Sequence, residues 1–443
     1  MSPIGRKLGG LYRRIRSDPR MRGEVGWVVA TKLSEFAILF VLLKILTNVL
    51  GKSGYGEYNL AETAMILFTQ IFLVPIRESY LRDYHGAVER GERRAAGMIL
   101  IRWYAVTTIV IALVAAGLSA WVSEQFDFGR WTALAWGVLF VFDRWRFLAL
   151  EVLNMRRERR AWALRSIGFQ ATLVVCVAAA LWVGPPTAAT ALFGYAFASF
   201  VFAVVVAGPM VREIVTLPAS QPSHLLSMAL TFGIPFSALL VAQWVQGFAD
   251  RYLLKALLDA ETVGLYVAAY QVAGIPYALM LRIGHNLLLP IAYQRGSDLN
   301  DAARLWAADK ILLAGLGVQM AIGGCMLLFY LSFGQQLVVL LTNESFVVPT
   351  TTMVALAAGR YMQALAQATQ PIFAVHHRMG GMLWVRLIGA AATLAICIPM
   401  IRSHGAFGAA AGSLMALSLY VTLLWFGPWG CWWMIREVRR ALR

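Results

Sequence analysis

Twelve long apolar runs, near residues 24–49, 57–76, 96–122, 130–153, 161–183, 188–211, 224–249, 262–291, 307–332, 348–374, 382–401 and 405–434, take up most of the chain. A helix crossing the hydrocarbon core of a bilayer needs about 20 mostly apolar residues, and each run is long enough to serve. The runs are too long and too uniform for barrel strands, so helices are the spanning form the pattern predicts. The gaps are short: Gly184-Pro185-Pro186-Thr187 is the whole connection between the fifth and sixth runs. No room is left for a separate soluble domain.

Charge follows the same punctuation. Alternate gaps, beginning with the N-terminal arm, hold 27 Lys and Arg residues, among them Arg13, Arg14, Arg77, Arg90, Arg156, Arg295, Arg378, Arg386 and Arg440. The intervening gaps hold five: Lys52, Arg130, Arg251, Lys255 and Arg402. Lys and Arg gather in cytoplasmic loops, so the asymmetry predicts an even number of crossings with both termini in the cytoplasm. The expected organisation is a basic arm over 1–23, a six-helix bundle over 24–211, a linker over 212–223, a second six-helix bundle over 224–434 and a basic tail over 435–443. A hydrophobic content of 59% and a mean hydropathy of +0.65 agree with a polytopic membrane protein. The net charge of +16 is then topology and attraction to anionic phospholipids, and nucleic acid is not an expected partner. Cys176, Cys325, Cys397 and Cys431 lie inside apolar runs without metal spacing, and His376-His377 reads as solvated; no metal or cofactor is expected.

The pattern G-x-Y-x-x-A occurs twice, as Gly56/Tyr58/Ala61 and Gly264/Tyr266/Ala269, each time after the first helix of a set of six. Six is even, so both halves enter the bilayer from the same side and the repeat is parallel, with a cavity expected between two bundles.

Charged groups inside a span are costly and usually face such a cavity. In the first run Lys32 and Glu35 share a helix face, either neutralising one another or opening to an anion. Glu62, Thr69 and Gln70 form a weaker stripe in the second. Asp143, Arg144, Arg146 and Glu151 in the fourth read as mutually neutralising. Gln243, Gln246 and Asp250 make a narrow stripe in the seventh run, where Asp250 and Arg251 suit a clasp or gate. Arg282, His285 and Asn286 share a face in the eighth. In the tenth, Arg360, Gln363, Gln367 and Gln370 align within about 80° of arc. Lys32, Arg282 and Arg360 are the expected substrate-binding cations, with Gln243, Gln246, Gln363 and Gln367 as amide donors. Glu35, Glu62, Asp250 and Arg251 are the expected coupling or gating groups. No residue set suggests catalysis, because the outward loops carry no carboxylate pair, Ser/His/Asp set or metal motif.

The stretches LGKSGYGEYNLAE (50–62), ADRYLLKALLDAETVGLYVAAYQVAGIP (249–276), HHRMGG (376–381) and GAFGAAAGS (405–413) resemble helix junctions of the bacterial polysaccharide and O-antigen flippases. These belong to the multidrug/oligosaccharidyl-lipid/polysaccharide superfamily. The resemblance implies an all-α, twelve-helix, two-bundle exporter in the bacterial inner membrane. Its cargo would be an undecaprenyl-diphosphate-linked oligosaccharide, moved to the outer leaflet by alternating access, with glycan polymerase and glycosyltransferases as pathway partners. O-antigen, other lipopolysaccharide, capsule and exopolysaccharide pathways are all compatible. The competing readings are a multidrug exporter of organic cations, which needs a predominantly acidic cavity, and a membrane glycan polymerase or ligase, which needs catalytic groups on a sizeable loop.

Overall fold

The computed structural model describes residues 19–126, 129–156, 158–295, 301–376, 378–428 and 430–442; the basic arm expected over 1–23 lies outside them up to residue 18, as does His377. The described residues contain helices and no strand. In chain order the helices are α1 (Pro19–Phe72), α2 (Val74–Glu89), α3 (Arg93–Gly117), α4 (Ser119–Phe126), α5 (Arg130–Met155), α6 (Arg159–Val183), α7 (Ala188–Phe202) and α8 (Gly208–Thr216). There follow α9 (Leu225–Met228), α10 (Ile234–Leu257), α11 (Ala260–Arg295), α12 (Ala302–Leu341), α13 (Thr350–Val375), α14 (Met379–Phe426) and α15 (Cys431–Ala441). Single π-helical turns, Ala203–Ala207 and Ala229–Gly233, join α7 to α8 and α9 to α10.

Two of these helices are interrupted by a kink. α1 breaks at Gly51 (φ 64°) and α14 at Gly405 (φ 59°), a backbone region in which a Cβ is strained. Each break falls between two expected runs, and helix makes up most of the described part of every run. Among the described residues, eight stretches are long and apolar enough to cross a membrane, and they fall on every run except those of α5 and α13. α5 and α13 are the fourth helices of their respective sets of six, and they carry the charges and amides that lower their hydropathy. Both are packed on several sides by neighbours, α5 by α3, α6 and α7, and α13 by α11, α12 and α14. A polar helix is tolerable in a membrane when its own bundle covers it.

The chain packs as two units. The first comprises, among the described residues, 19–45 and Phe72–Ile234. Its most buried charge is Asp143, wholly enclosed and bonded to both Arg144 and Arg146, as expected for mutual neutralisation. Arg146 also stands 3.7 Å from the Phe169 ring centroid, and Arg77 and Arg144 both lie over Phe147. The linker expected over 212–223 belongs wholly to this unit. It is tied down by Gln221 N–H donating to Gly91 O (3.1 Å) and by Ala95 N–H donating to Ser220 Oγ (2.8 Å).

The second unit comprises Leu46–Ile71 and Pro235–Arg443. The boundary therefore departs from a clean cut after residue 211, because 46–71 is bound to α10 and α11 by close packing. A Cβ on Gly56 would overlap the Ala260 carbonyl oxygen, and one on Gly264 would overlap the Lys52 carbonyl oxygen. The two copies of the repeated motif thus meet each other, glycine facing backbone. Around them Trp244 Nε1 donates to Thr63 O (2.9 Å), Arg251 Nη1 to Asn59 Oδ1 (2.5 Å) and Lys52 Nζ to Glu261 (3.0 Å).

The apolar core of this unit gathers Leu239, Leu312, Phe373, Tyr420, Leu424, Cys431, Met434 and Val438. Two expectations are corrected here. His376 is not solvated: its Nε2 lies 3.0 Å from the buried Asp309 carboxylate. Arg386 is not a loop residue: α14 carries it inside, where it is 1% exposed. The expected tail is the end of α15, seated on this core.

Candidate functional site

α10 supplies Gln246 and Asp250, one turn apart on the face it buries, and α13 supplies Gly359, Arg360 and Gln363. Together with Tyr266 and Tyr270 from α11 and Ala410, Ser413 and Leu417 from α14, they line a narrow cleft of about 10 Å³, the room of roughly one water molecule. Arg360 Nη1 donates to Tyr270 OH (2.8 Å) and to Gln363 Oε1, while its guanidinium stands 4.6 Å over the Tyr270 ring. Arg251 stands 4.8 Å over the same ring, so one phenol lies beneath two cations. This stacking is favourable for both guanidiniums but leaves them charged.

Asp250 is almost fully buried. Its Oδ1 accepts from Arg251 N–H (2.9 Å); its Oδ2 accepts from Tyr266 OH (2.5 Å) and Ser413 Oγ (3.2 Å). Three neutral donors solvate it in place of water. The side chains of Asp250 and Arg251, adjacent in sequence, engage different partners and form no ion pair with each other.

Next to the cleft, Gln243 accepts from Arg386 Nη1 (2.5 Å), and Arg386 Nε donates to Tyr420 OH (3.1 Å). Among the described residues, neither Arg360 nor Arg386 has a carboxylate within ion-pair distance. Gln246 Nε2 and Arg360 Nε are buried without a hydrogen-bond partner. Missing side chains make room for these groups: a Cβ on Gly389 would overlap Gln246 Nε2, and one on Gly274 would overlap Arg360 Nε. Around the cleft, the second unit therefore holds the guanidiniums of Arg251, Arg360 and Arg386 bonded only to neutral groups, spare N–H donors, and one cleft carboxylate, Asp250.

Of the residues singled out from the sequence, Gln246, Asp250, Arg360 and Gln363 come together in the cleft, and Arg251 adjoins them through Tyr270. Gln243 lies outside it, on Arg386. Gln367 and Glu62 are half-buried elsewhere in the unit, and Arg282 is exposed on α11, away from the cleft. Lys32 and Glu35 belong to the other unit. Lys32 Nζ donates to both Glu35 oxygens (2.8 and 2.7 Å) and stands 5.6 Å from the Trp162 centroid, so the neutralising alternative is the one adopted. The hydropathy pattern missed Arg386 because it sits close to a junction; the glycines one turn away were the available signal. Asp83, Glu92 and His224 bring ligand atoms within 4.8 Å of one another, but Arg90 bonds both carboxylates, making an ion-pair network.

Residues 22–294 match the family model described as polysaccharide biosynthesis protein. A probable multidrug resistance protein NorM of Geobacillus kaustophilus is 23% identical over 256 residues, 56% of this chain; the match spans about half (55%) of that relative's length. Among solved structures, an inward-facing MATE family multidrug resistance transporter superposes with TM-score 0.67 at 12% identity, covering 91% of this chain and 96% of its own. The lipid II flippase MurJ in an inward closed conformation also gives 0.67, at 11% identity over 90% and 86% of the two chains. A transporter of the same superfamily from Pyrococcus furiosus, described as having a binding pocket of reversed polarity, gives 0.61 at 10% identity, over 93% and 94%. The fold is thus the one shared by these transporters.

Proposed function

From its membership of the polysaccharide biosynthesis protein family, to which the chain belongs, we propose that this protein is a flippase for an isoprenoid-diphosphate-linked glycan. It would carry the headgroup from the cytoplasmic to the outer leaflet of a bacterial inner membrane by alternating access, for O-antigen, capsule or exopolysaccharide assembly. The observation that carries this reading is the pair of guanidiniums, Arg360 and Arg386, held by neutral groups beside spare amide donors. A buried cation without a counter-ion is expensive, and an arriving anion repays that cost. A diphosphate brings about two negative charges and accepts bidentate guanidinium bonds. Sugar hydroxyls suit Gln246, Gln363 and the tyrosine hydroxyls. The lipid tail stays in the bilayer. Lys32 and Arg282, expected from the sequence as further cations, have no part in this cleft.

Asp250 favours a second reading, since a buried carboxylate in the same cleft suits an organic cation, the cargo class of a multidrug exporter. It equally suits a coupling cation moving against the glycan, a role proposed here for Asp250 in preference to Glu35, Glu62 or Arg251. The test is binding to purified protein. An undecaprenyl-diphosphate-linked sugar should bind and lose at least tenfold in affinity on Arg360→Gln, about the 1.4 kcal/mol of one charge-assisted bond. Tight binding of a lipophilic cation, abolished by Asp250→Asn while the glycan lipid fails to bind, would reverse the assignment.

A further inference from the structure

The C-terminal helix α15 has two dissimilar faces. Cys431, Met434 and Val438 recur at helical spacing and are buried on the core of the second unit. The opposite arc, spanning roughly 120° at 3.6 residues per turn, carries Arg439, Trp432, Arg436, Arg440 and Trp433. Trp432 and Trp433 are 41% and 44% exposed, which is large for indoles. Arg436 stands 4.9 Å over Trp432 and 5.9 Å over Trp433. The patch continues onto α12, where Arg439 and Lys310 lie 4.5 and 5.2 Å over Trp306. The one acidic residue of α15, Glu437, is engaged by Arg378 at 2.8 Å, so it cancels none of this charge.

α15 begins five residues after α14 ends, which holds it at the edge of the last span. Indole rings concentrate at the headgroup level of a bilayer, with an apolar body and a polar N–H. Clustered arginines beside a span are attracted to anionic lipid over a Debye length. Both properties occur on one exposed arc, turned away from the protein core. We propose that this Trp–Arg face, completed by Trp306 and Lys310, is a docking surface for anionic phospholipid headgroups. Occupied, it anchors α15 and the ends of α12 and α14 at the membrane boundary. This site is separate from the cleft and does not depend on the cargo.

The experiment uses the full-length protein in nanodiscs of phosphatidylcholine doped with phosphatidylglycerol, counting retained lipids by native mass spectrometry. The wild type should enrich phosphatidylglycerol several-fold over its bulk fraction, and the enrichment should fall as salt rises. The triple change Arg436→Gln, Arg439→Gln, Arg440→Gln should bring it down to the bulk fraction, and the corresponding triple change to Lys should retain most of it. Equal enrichment in the wild type and the Gln variant overturns the proposal. Should the Gln variant fail to fold, an enrichment in the wild type that ignores salt overturns it instead. A short oligonucleotide that displaces the phosphatidylglycerol would assign the face to nucleic acid, also overturning it.

Discussion

Arg386 bears a desolvation cost that two neutral acceptors, Gln243 and Tyr420, only partly offset. Replacing it by Met keeps the volume and removes the charge. Arg386→Met should therefore leave thermal stability unchanged or raise it, by roughly 1–4 kcal/mol by analogy with other buried charges replaced by apolar groups. It should nevertheless abolish export in a complementation assay. A fall in the unfolding midpoint with export intact would make Arg386 a packing residue. Asp259 illustrates the opposite case, a charge the fold welcomes. Its carboxylate accepts the Thr262 N–H (2.7 Å) at the start of α11, and this bond holds its pKa below the usual carboxylate range. A depressed folded value means the contribution is complete above about pH 3.9 and is lost as pH falls through the lower folded value. Asp259→Asn should cost at most about 1 kcal/mol at neutral pH, since Asn also caps well, and the gap should close on acidification. Unfolding midpoints of both proteins from neutral to acid pH measure this.

Among the elements, the junctions at 50–62 and 258–269 carry the most specific packing. Each motif glycine faces a carbonyl oxygen of the other junction, a rigid neighbour that cannot move aside as a side-chain tip can. Gly56→Ala or Gly264→Ala should each destabilise the protein by about 1–3 kcal/mol through overpacking. Gly117→Ala, at a position facing open space, should be neutral or slightly stabilising. Comparable unfolding midpoints in all three would remove the contact from the account. The repeat was legible as a motif because glycine and tyrosine recur at fixed spacing. That the copies touch was not legible, since a spacing of 208 residues says nothing about proximity. The polar character of α5 was visible as a cluster of charges and that of α13 as a stripe. Which stripe faced a cleft and which a neutralising partner depended on neighbours brought in from distant sequence.

At the scale of the whole molecule, the proposed reaction moves a charge of about −2 outward, a step that a negative interior favours by roughly 4.6 kcal/mol per 100 mV. Proteoliposomes with an inside-negative potential and the protein in its cellular orientation should export the glycan lipid faster than depolarised ones. A rate independent of both potential and ion gradients would discard electrophoretic and coupled export alike. The junction contact offers a second check. Lys52 and Glu261 pair at 3.0 Å through long side chains, so in a Lys52→Cys, Glu261→Cys protein lacking its native cysteines a short bis-thiol crosslinker, cleavable by reductant, should replace them and join the two positions. If the junctions must part during transport, export should stop on crosslinking and return with reductant; export undiminished by the crosslink would show that they stay together.

Hydropathy marked the helical segments, because burial of an apolar run in lipid is a local demand that each segment meets by itself. Family resemblance at the junctions was equally local. The tertiary structure decided what no segment contains: that Lys32 is already matched by Glu35, that Arg282 stays outside while Arg386 goes in, that residues 46–71 pack with the second unit, and that the C-terminal tail is a seated helix. Each depends on which groups surround a side chain, and a charge is functional or merely neutralised according to the partner the fold places within a few ångströms of it.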